Sequence, residues 1–317
     1  MQKYKRALVV SGGSSKVAFA VGVLDRMRHL EFDLLVGTSS GALVLPFVAL
    51  KKHDKMLAVF REARTEDFYE PIEPLDAGVA AGGLNSAKPL LEKIRENLDD
   101  REALSIIDST STTLVVNTVR LHDGHLIRWV AGCRLESEQN PPGESGLLRV
   151  ADAESLRRAV WASCIQPVGM KPGRIVLSNQ ERFIDGGFRC GAAIAFARHL
   201  ATDVLAIVTS TSSEVDGSEF YPPSKWDIAG VAEAVLARLV ARRVLQNDIR
   251  EGAAVNGGEF GIVQPTGKLT PDANVFDPAQ MKTMVATGQQ RADEFLNSHP
   301  HWKPVARTPN AEPSGSP

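Results

Sequence analysis

Gly37-Thr38-Ser39-Ser40-Gly41 sets a serine between two glycines, in a G-x-S-x-G pattern, directly after the apolar run Phe32 to Val36. Strand, sharp turn and helix form the setting in which such a serine becomes a nucleophile. Gly37 and Gly41 are needed because the turn is too tight for side chains on either flank. The Ser39 hydroxyl is then forced out at the N-terminus of the following helix. There the helix dipole and unpaired N–H groups favour a developing oxyanion. The pentapeptide alone is a hint; the strand before it and the apolar stretch Ala42 to Leu45 after it strengthen the reading. Pro46 falls inside the expected helix and should bend or shorten it.

Two other clusters could serve the same chemistry. Ala7 to Val10 reads as an apolar strand. It feeds Ser11-Gly12-Gly13-Ser14-Ser15-Lys16, and a helical pattern runs from Ala18 to Leu30. A glycine-rich turn between strand and helix is a nest of N–H groups that can hold an anion. It lacks the G-x-G-x-x-G spacing of a dinucleotide loop and the Gly-Lys-Ser/Thr ending of a P-loop. Downstream, the short strand Phe183-Ile184 ends in Asp185-Gly186-Gly187. Taken alone, that is an ordinary Asp-Gly turn.

In order and spacing the three clusters together resemble the patatin-like phospholipases, which are serine lipid acyl hydrolases. Gly12 to Leu24 is similar to the family's G-G-G-x-R-G…G-V-L loop and helix. Gly37 to Ala42 is similar to its G-T-S-x-G-A elbow, Ala162-Ser163 with Pro167 to its A-S…P segment, and Asp185-Gly186-Gly187 to its D-G-G. Phe276 to Leu296, with Met281 and Gly288, resembles its closing helix, so the likeness runs from near Arg6 to near Asn297. Ser14 and Val17 stand where the family has glycine, and Lys16 replaces the usual arginine. A serine still carries an N–H, but a non-glycine residue at φ > 0 costs on the order of 1 kcal/mol.

The resemblance implies a catalytic dyad without histidine. Ser39 would attack an ester carbonyl and Asp185 would take its proton, with N–H groups near Gly12, Gly13 and Ser14 holding the oxyanion. Burial of Asp185 would raise its pKa and improve it as a base. Lys16 is expected to face solvent or form an ion pair beside its helix rather than act in the loop. Lys16, Gly37, Gly41, Gly186 and Gly187 are supporting motif residues. No cofactor and no metal are implied. The expected partner is a lipid substrate, a phospholipid or another acyl ester; thioesters and peptides present similar carbonyls to the same dyad.

Other readings remain open at this level. An α/β-hydrolase triad needs a histidine after the acid, and His199, His299 and His301 all follow Asp185. Each reads as a surface residue, and Ser39 follows only the second strand, which is early for that fold. A non-catalytic lipid-binding or scaffold protein on the same fold is the third reading, motivated by Ser14 and Val17.

The elements that must position these groups are those of an α/β protein: a mostly parallel central sheet with helices on both faces, a three-layer sandwich. Strands are expected at Thr113 to Arg120 and His125 to Val130, joined by an Asp-Gly hairpin turn. Others are expected at Arg174 to Leu177, Arg182 to Ile184, Val204 to Thr209 and Gly261 to Val263. Helices are expected within Lys51 to Phe68, and over Lys88 to Leu98, Ala153 to Ser163, Gly191 to Leu200 and Ile228 to Ile249. Ala77 to Asn85 reads as a loop, and the polar stretch Gly132 to Gly146 as a flap over the site. Phe220 to Trp226 is an aromatic loop that could touch a lipid interface, though a packed loop is the simpler reading.

The sequence of 317 residues is 43% hydrophobic, enough for one sizeable domain over 1–302, with a Pro- and Ser-rich tail over 303–317 read as disordered. A net charge of −2 without basic runs speaks against nucleic acid and against permanent attachment to anionic membrane. Transient membrane contact stays open, as does oligomeric state. Cys133, Cys164 and Cys190 form no paired or metal-binding spacing, which suits a reducing, cytoplasmic compartment. No stretch has the length of a membrane span.

Overall fold

A computed structural model describes residues 4–74, 77–78, 80, 82–132, 135, 146–177, 179–218, 235 and 240–303 of the chain. In chain order the strands are β1 (Tyr4–Val10), β2 (Leu34–Thr38), β3 (Glu70–Pro71), β4 (Gly83–Ser86), β5 (Thr113–Arg120) and β6 (Leu126–Ala131). They continue with β7 (Leu147–Arg149), β8 (Val168–Met170), β9 (Phe183–Asp185), β10 (Ala201–Ile207) and β11 (Phe260–Val263). The α-helices described are α1 (Val17–Arg26), α2 (Ser40–Ala49), α3 (His53–Arg61), α4 (Lys88–Asn97) and α5 (Asp100–Ile107). After these come α6 (Ala153–Ser163), α7 (Ile194–Leu200), α8 (Ser212–Asp216), α9 (Arg242–Ala254) and α10 (Pro278–Ser298).

The main sheet runs β11-β10-β1-β2-β5-β6-β7, with β9 also on β5. From β11 to β5 all pairings are parallel. Apolar residues alternate through the sheet into two cores. Leu8, Val10, Leu35, Leu114, Val116, Leu205 and Ile207 face the larger core, under α1, α2, α6 and α10. Ala7, Val9, Leu34, Val36, Val115, Val204 and Ala206 face the smaller one, against α7. Such doubly covered strands read as continuous apolar runs, which is why β1, β2 and β10 were legible. A second sheet, β3-β4-β8, stands apart from the first.

Helix α1 crosses α10 at glycine contacts. A Cβ on Gly22 would lie 2.0 Å from the Val285 carbonyl oxygen, and one on Gly288 would lie 2.0 Å from that of Phe19. The two backbones touch, and α10 closes the larger core over α1.

Some boundaries differ from expectation. Pro46 does not end α2, which runs on to Ala49. Its surroundings, including Leu45 and Phe47, are buried, so packing outweighs the lost hydrogen bond. The segment Lys51 to Phe68 divides into α3 and a 3-10 turn at Thr65–Asp67. The expected loop Ala77 to Asn85 contains most of β4, whose pairing with β8 has no local signature. Arg174 to Leu177 forms no strand; only Gly173 bridges to Phe183. Most of the flap Gly132 to Gly146, the aromatic loop Phe220 to Trp226, much of the helix expected from Ile228, and the tail beyond Lys303 lie outside the described residues.

Candidate active site

Strand β2 ends with Thr38 opposite Asn117 of β5. Strand β9 ends with Asp185 opposite Thr118. Strand β6 occupies the other edge of β5 at Thr118, so β9 takes the edge that β2 vacates. Asn117 and Thr118 are consecutive, so sheet register brings the residue after Thr38 next to Asp185.

Ser39 occupies the N-cap of α2 with φ 55° and ψ −137°. This backbone is rare outside glycine and holds on the order of 1–3 kcal/mol of strain. The space around it explains the flanking glycines. A Cβ on Gly41 would stand 2.4 Å from the Val10 oxygen and 2.5 Å from the Ser11 oxygen, and one on Gly37 would stand 2.8 Å from Ala42 Cα. Both Ser39 and Asp185 are buried, with 8% and 5% of their surface exposed.

The Ser39 side chain faces the Asp185 carboxylate and pulls its pKa down. Asp185 Oδ1 also accepts the Gly187 N–H at 2.7 Å. Burial dominates the electrostatics and raises the Asp185 pKa to about 6, against the opposing pull of the Ser39 side chain and the Gly187 N–H. A carboxylate tuned this way is a better base near neutrality than an exposed one. Gly186 fits under Asn117: a Cβ there would lie 2.4 Å from the Asn117 oxygen.

The glycine-rich turn lies against the serine. A Cβ on Gly12 would be 2.6 Å from Ser39 Cβ and 3.2 Å from Ser39 Oγ. Gly13 has φ 154° and Ser14 has φ 55°, so Ser14 carries the strain anticipated for a non-glycine residue there. The Ser15 N–H goes to the Ala273 oxygen at 2.9 Å, and the Lys16 N–H goes to the Gly13 oxygen at 3.1 Å. The N–H groups of Gly12, Gly13 and Ser14 have no acceptor among the described residues. Lys16 is turned away from solvent: its Nζ donates to Ser210 Oγ at 2.9 Å and pairs with Glu214 at 3.5 Å. Burial lowers its pKa, and Glu214 offsets part of that.

Three further residues support the site, two of them outside any motif. The Thr209 hydroxyl bonds the Gly12 carbonyl, and the Thr209 N–H reaches Ser11 Oγ at 3.0 Å, tying the turn to the end of β10. Asn117 Nδ2 donates to Thr38 Oγ1 at 2.9 Å. Ser163 Oγ accepts the Ser39 N–H at 2.8 Å. Only Ser163 had a signal, as part of the A-S…P segment.

Among the described residues no histidine joins the pair. His199 is exposed. His299 stacks on Phe295, and its Nδ1 lies 3.0 Å from the Phe295 oxygen. His301 Nε2 sits 2.9 Å from Asp203 Oδ2, near the start of β10 and thus at the opposite end of the strands. The triad reading therefore lacks its third member among these candidates.

On the outer side of α2, Leu43 and Phe47 line an apolar cavity of about 50 Å³ with Phe60, Phe68, Leu90 and Ile94. The Lys93–Asp67 ion pair, at 3.2 Å, stands on its rim.

The family model for patatin-like phospholipases matches residues 8–196. That span holds the glycine-rich turn, Ser39 and Asp185, and stops short of β10. No curated protein matches the chain.

Proposed function

The chain belongs to the patatin-like phospholipase family, a family of lipid acyl hydrolases; on that premise we propose that it cleaves fatty-acyl ester bonds of phospholipids or related lipids through Ser39 and Asp185. The observation that carries this reading is a strained, buried serine whose side chain faces a buried carboxylate of raised pKa.

In the proposed reaction Asp185 takes the proton of Ser39 Oγ as that oxygen bonds to the ester carbonyl carbon. The negative charge moves to the carbonyl oxygen, where the N–H groups of Gly12, Gly13 and Ser14 would receive it. One such donor typically contributes about 3 kcal/mol in the transition state. Collapse breaks the bond to the alcohol oxygen, which takes the proton back from Asp185 and leaves an acyl-serine. Asp185 then deprotonates a water that attacks the acyl carbonyl. Release of the fatty acid returns the proton to Ser39.

The cavity beside α2 supports an acyl chain as the substrate's apolar part. Leu43 lies one turn and Phe47 two turns beyond Ser39 on the same helix, about 6 and 12 Å along its axis. Its walls are aliphatic and aromatic, which suits hydrocarbon rather than a polar group.

Fatty-acid release from a panel of phospholipids and neutral lipids, with a chelator present, tests the proposal. We expect activity in the wild type and its loss in both Ser39→Ala and Asp185→Ala. Release that survives Ser39→Ala would refute the assignment of the nucleophile.

A further inference from the structure

The end of the β2–β5 ladder is unusual. The Thr113 N–H bonds the Asp33 oxygen at 2.9 Å, which assigns Thr113, Val115 and Asn117 as the β5 residues bonded toward β2. Continuing that ladder would put the Ser39 N–H directly on the Asn117 carbonyl. Instead Ser163 stands between them. Its Oγ accepts the Ser39 N–H at 2.8 Å and donates to the Asn117 oxygen at 2.6 Å. Ser163, Asn117 and Ile165 are fully buried, so no water competes for these bonds. Two residues on, the Ile165 carbonyl accepts the Asp185 N–H at 2.8 Å.

From this geometry we propose that Ser163 is a positioning residue: its hydroxyl, interposed in the ladder, splays Ser39 off β2 and holds it in the strained conformation that aims its own hydroxyl at Asp185. The proposal rests on the Ser39–Asp185 reading above. Segment 163–165 thereby braces both partners from one short stretch, by a side chain for the nucleophile and by a carbonyl for the base. A methyl group in place of the hydroxyl would leave the Ser39 N–H and the Asn117 carbonyl free to close on each other. That closure would carry Ser39 back toward a regular strand.

The test compares wild type with Ser163→Ala, Ser163→Thr and Ser163→Cys, using hydrolysis of a chromogenic short-chain ester across pH and the rate of Ser39 labelling by a fluorophosphonate. In Ser163→Ala, kcat and the labelling rate should fall about 10- to 100-fold with KM nearly unchanged, because misplacing a reacting group acts on the transition state. The Ser39 side chain lowers the Asp185 pKa, so drawing it away should also move the acid limb of kcat/KM to higher pH. Ser163→Thr keeps the hydroxyl and should restore both rate and profile. If Ser163→Ala fails to fold, Ser163→Cys carries the comparison: it should be slow and shifted where Ser163→Thr is not. A wild-type rate and profile in Ser163→Ala or Ser163→Cys, or equal losses in the alanine and threonine variants, would overturn the role of the hydroxyl. A wild type that neither labels nor hydrolyses would overturn the serine-hydrolase reading, and this proposal with it.

Discussion

In the proposed reaction Asp185 trades stability for reactivity. Its carboxyl has a pKa near 6 in the folded chain and an ordinary value near 3.8 outside it, so the fold favours the protonated form. The stability it contributes is full below about pH 4 and is lost as pH rises through about 6. Asp185→Asn, which keeps an acceptor for the Gly187 N–H, should therefore abolish activity yet stabilise the protein at pH 7, by on the order of 2–3 kcal/mol in denaturant unfolding. Unchanged or lower stability would mean that the carboxylate is better solvated than its burial suggests. The base must be ionised to work, so kcat/KM should fall as pH drops below about 6, with the midpoint read from a pH–rate profile. At this scale the sequence was most legible where a motif needs fixed residue types. The glycines flanking Ser39 could be read because no other residue fits a Cβ-free gap such as that at Gly41. Thr209 and Asn117 could not, since a threonine or asparagine that braces a neighbour has no characteristic spacing. Lys16 was placed only in part: an ion pair was one of two alternatives, but the distant partner Glu214 and the burial were unforeseen.

Elements with two apolar faces or strong caps were legible. β1, β2 and β10 are near-continuous apolar runs, and α6 begins at Asp152, whose side chain accepts the Ser155 N–H at 2.7 Å. The strands missed are short and owe their existence to partners: β7 has three residues on the edge beside β6, and β4 with β8 forms a small separate sheet. Tertiary pairing, rather than propensity, decides such pieces. The α1–α10 crossing gives a test at this scale. Gly288→Ala would drive a methyl into the Phe19 carbonyl, and backbone has no room to yield. We expect a loss of about 1–3 kcal/mol in unfolding free energy, and no measurable change would contradict the close approach described. Helix α2 gives another. Leu43→Trp should fill the cavity beside α2 and shift ester preference toward shorter acyl chains, with the shortest esters spared. An unchanged chain-length profile would remove the cavity from the acyl path.

The site is assembled by the whole sheet rather than by any one segment. The family match ends at residue 196, yet β10 pairs with β1 at six positions, and Thr209 beyond it ties down the glycine-rich turn. Helix α10, later still, covers α1. A fragment ending near residue 200 should thus fail to fold cooperatively, as read by calorimetry; a sharp unfolding transition in that fragment would show the later elements to be dispensable. What the sequence could not convey was the convergence of β2 and β9 on one edge of β5. That placement is a matter of register between strands distant in the chain, and register leaves no local mark. In the proposed reaction this convergence makes Ser39 an acyl acceptor served by Asp185. The most direct measurement is mass spectrometry of the protein quenched during turnover of an activated acyl ester. We expect one acyl group on the peptide containing Ser39 in the wild type, and none on Ser39→Ala or, at neutral pH, on Asp185→Ala. Turnover that persists in Ser39→Ala, or an acyl group found on another residue, would contradict it.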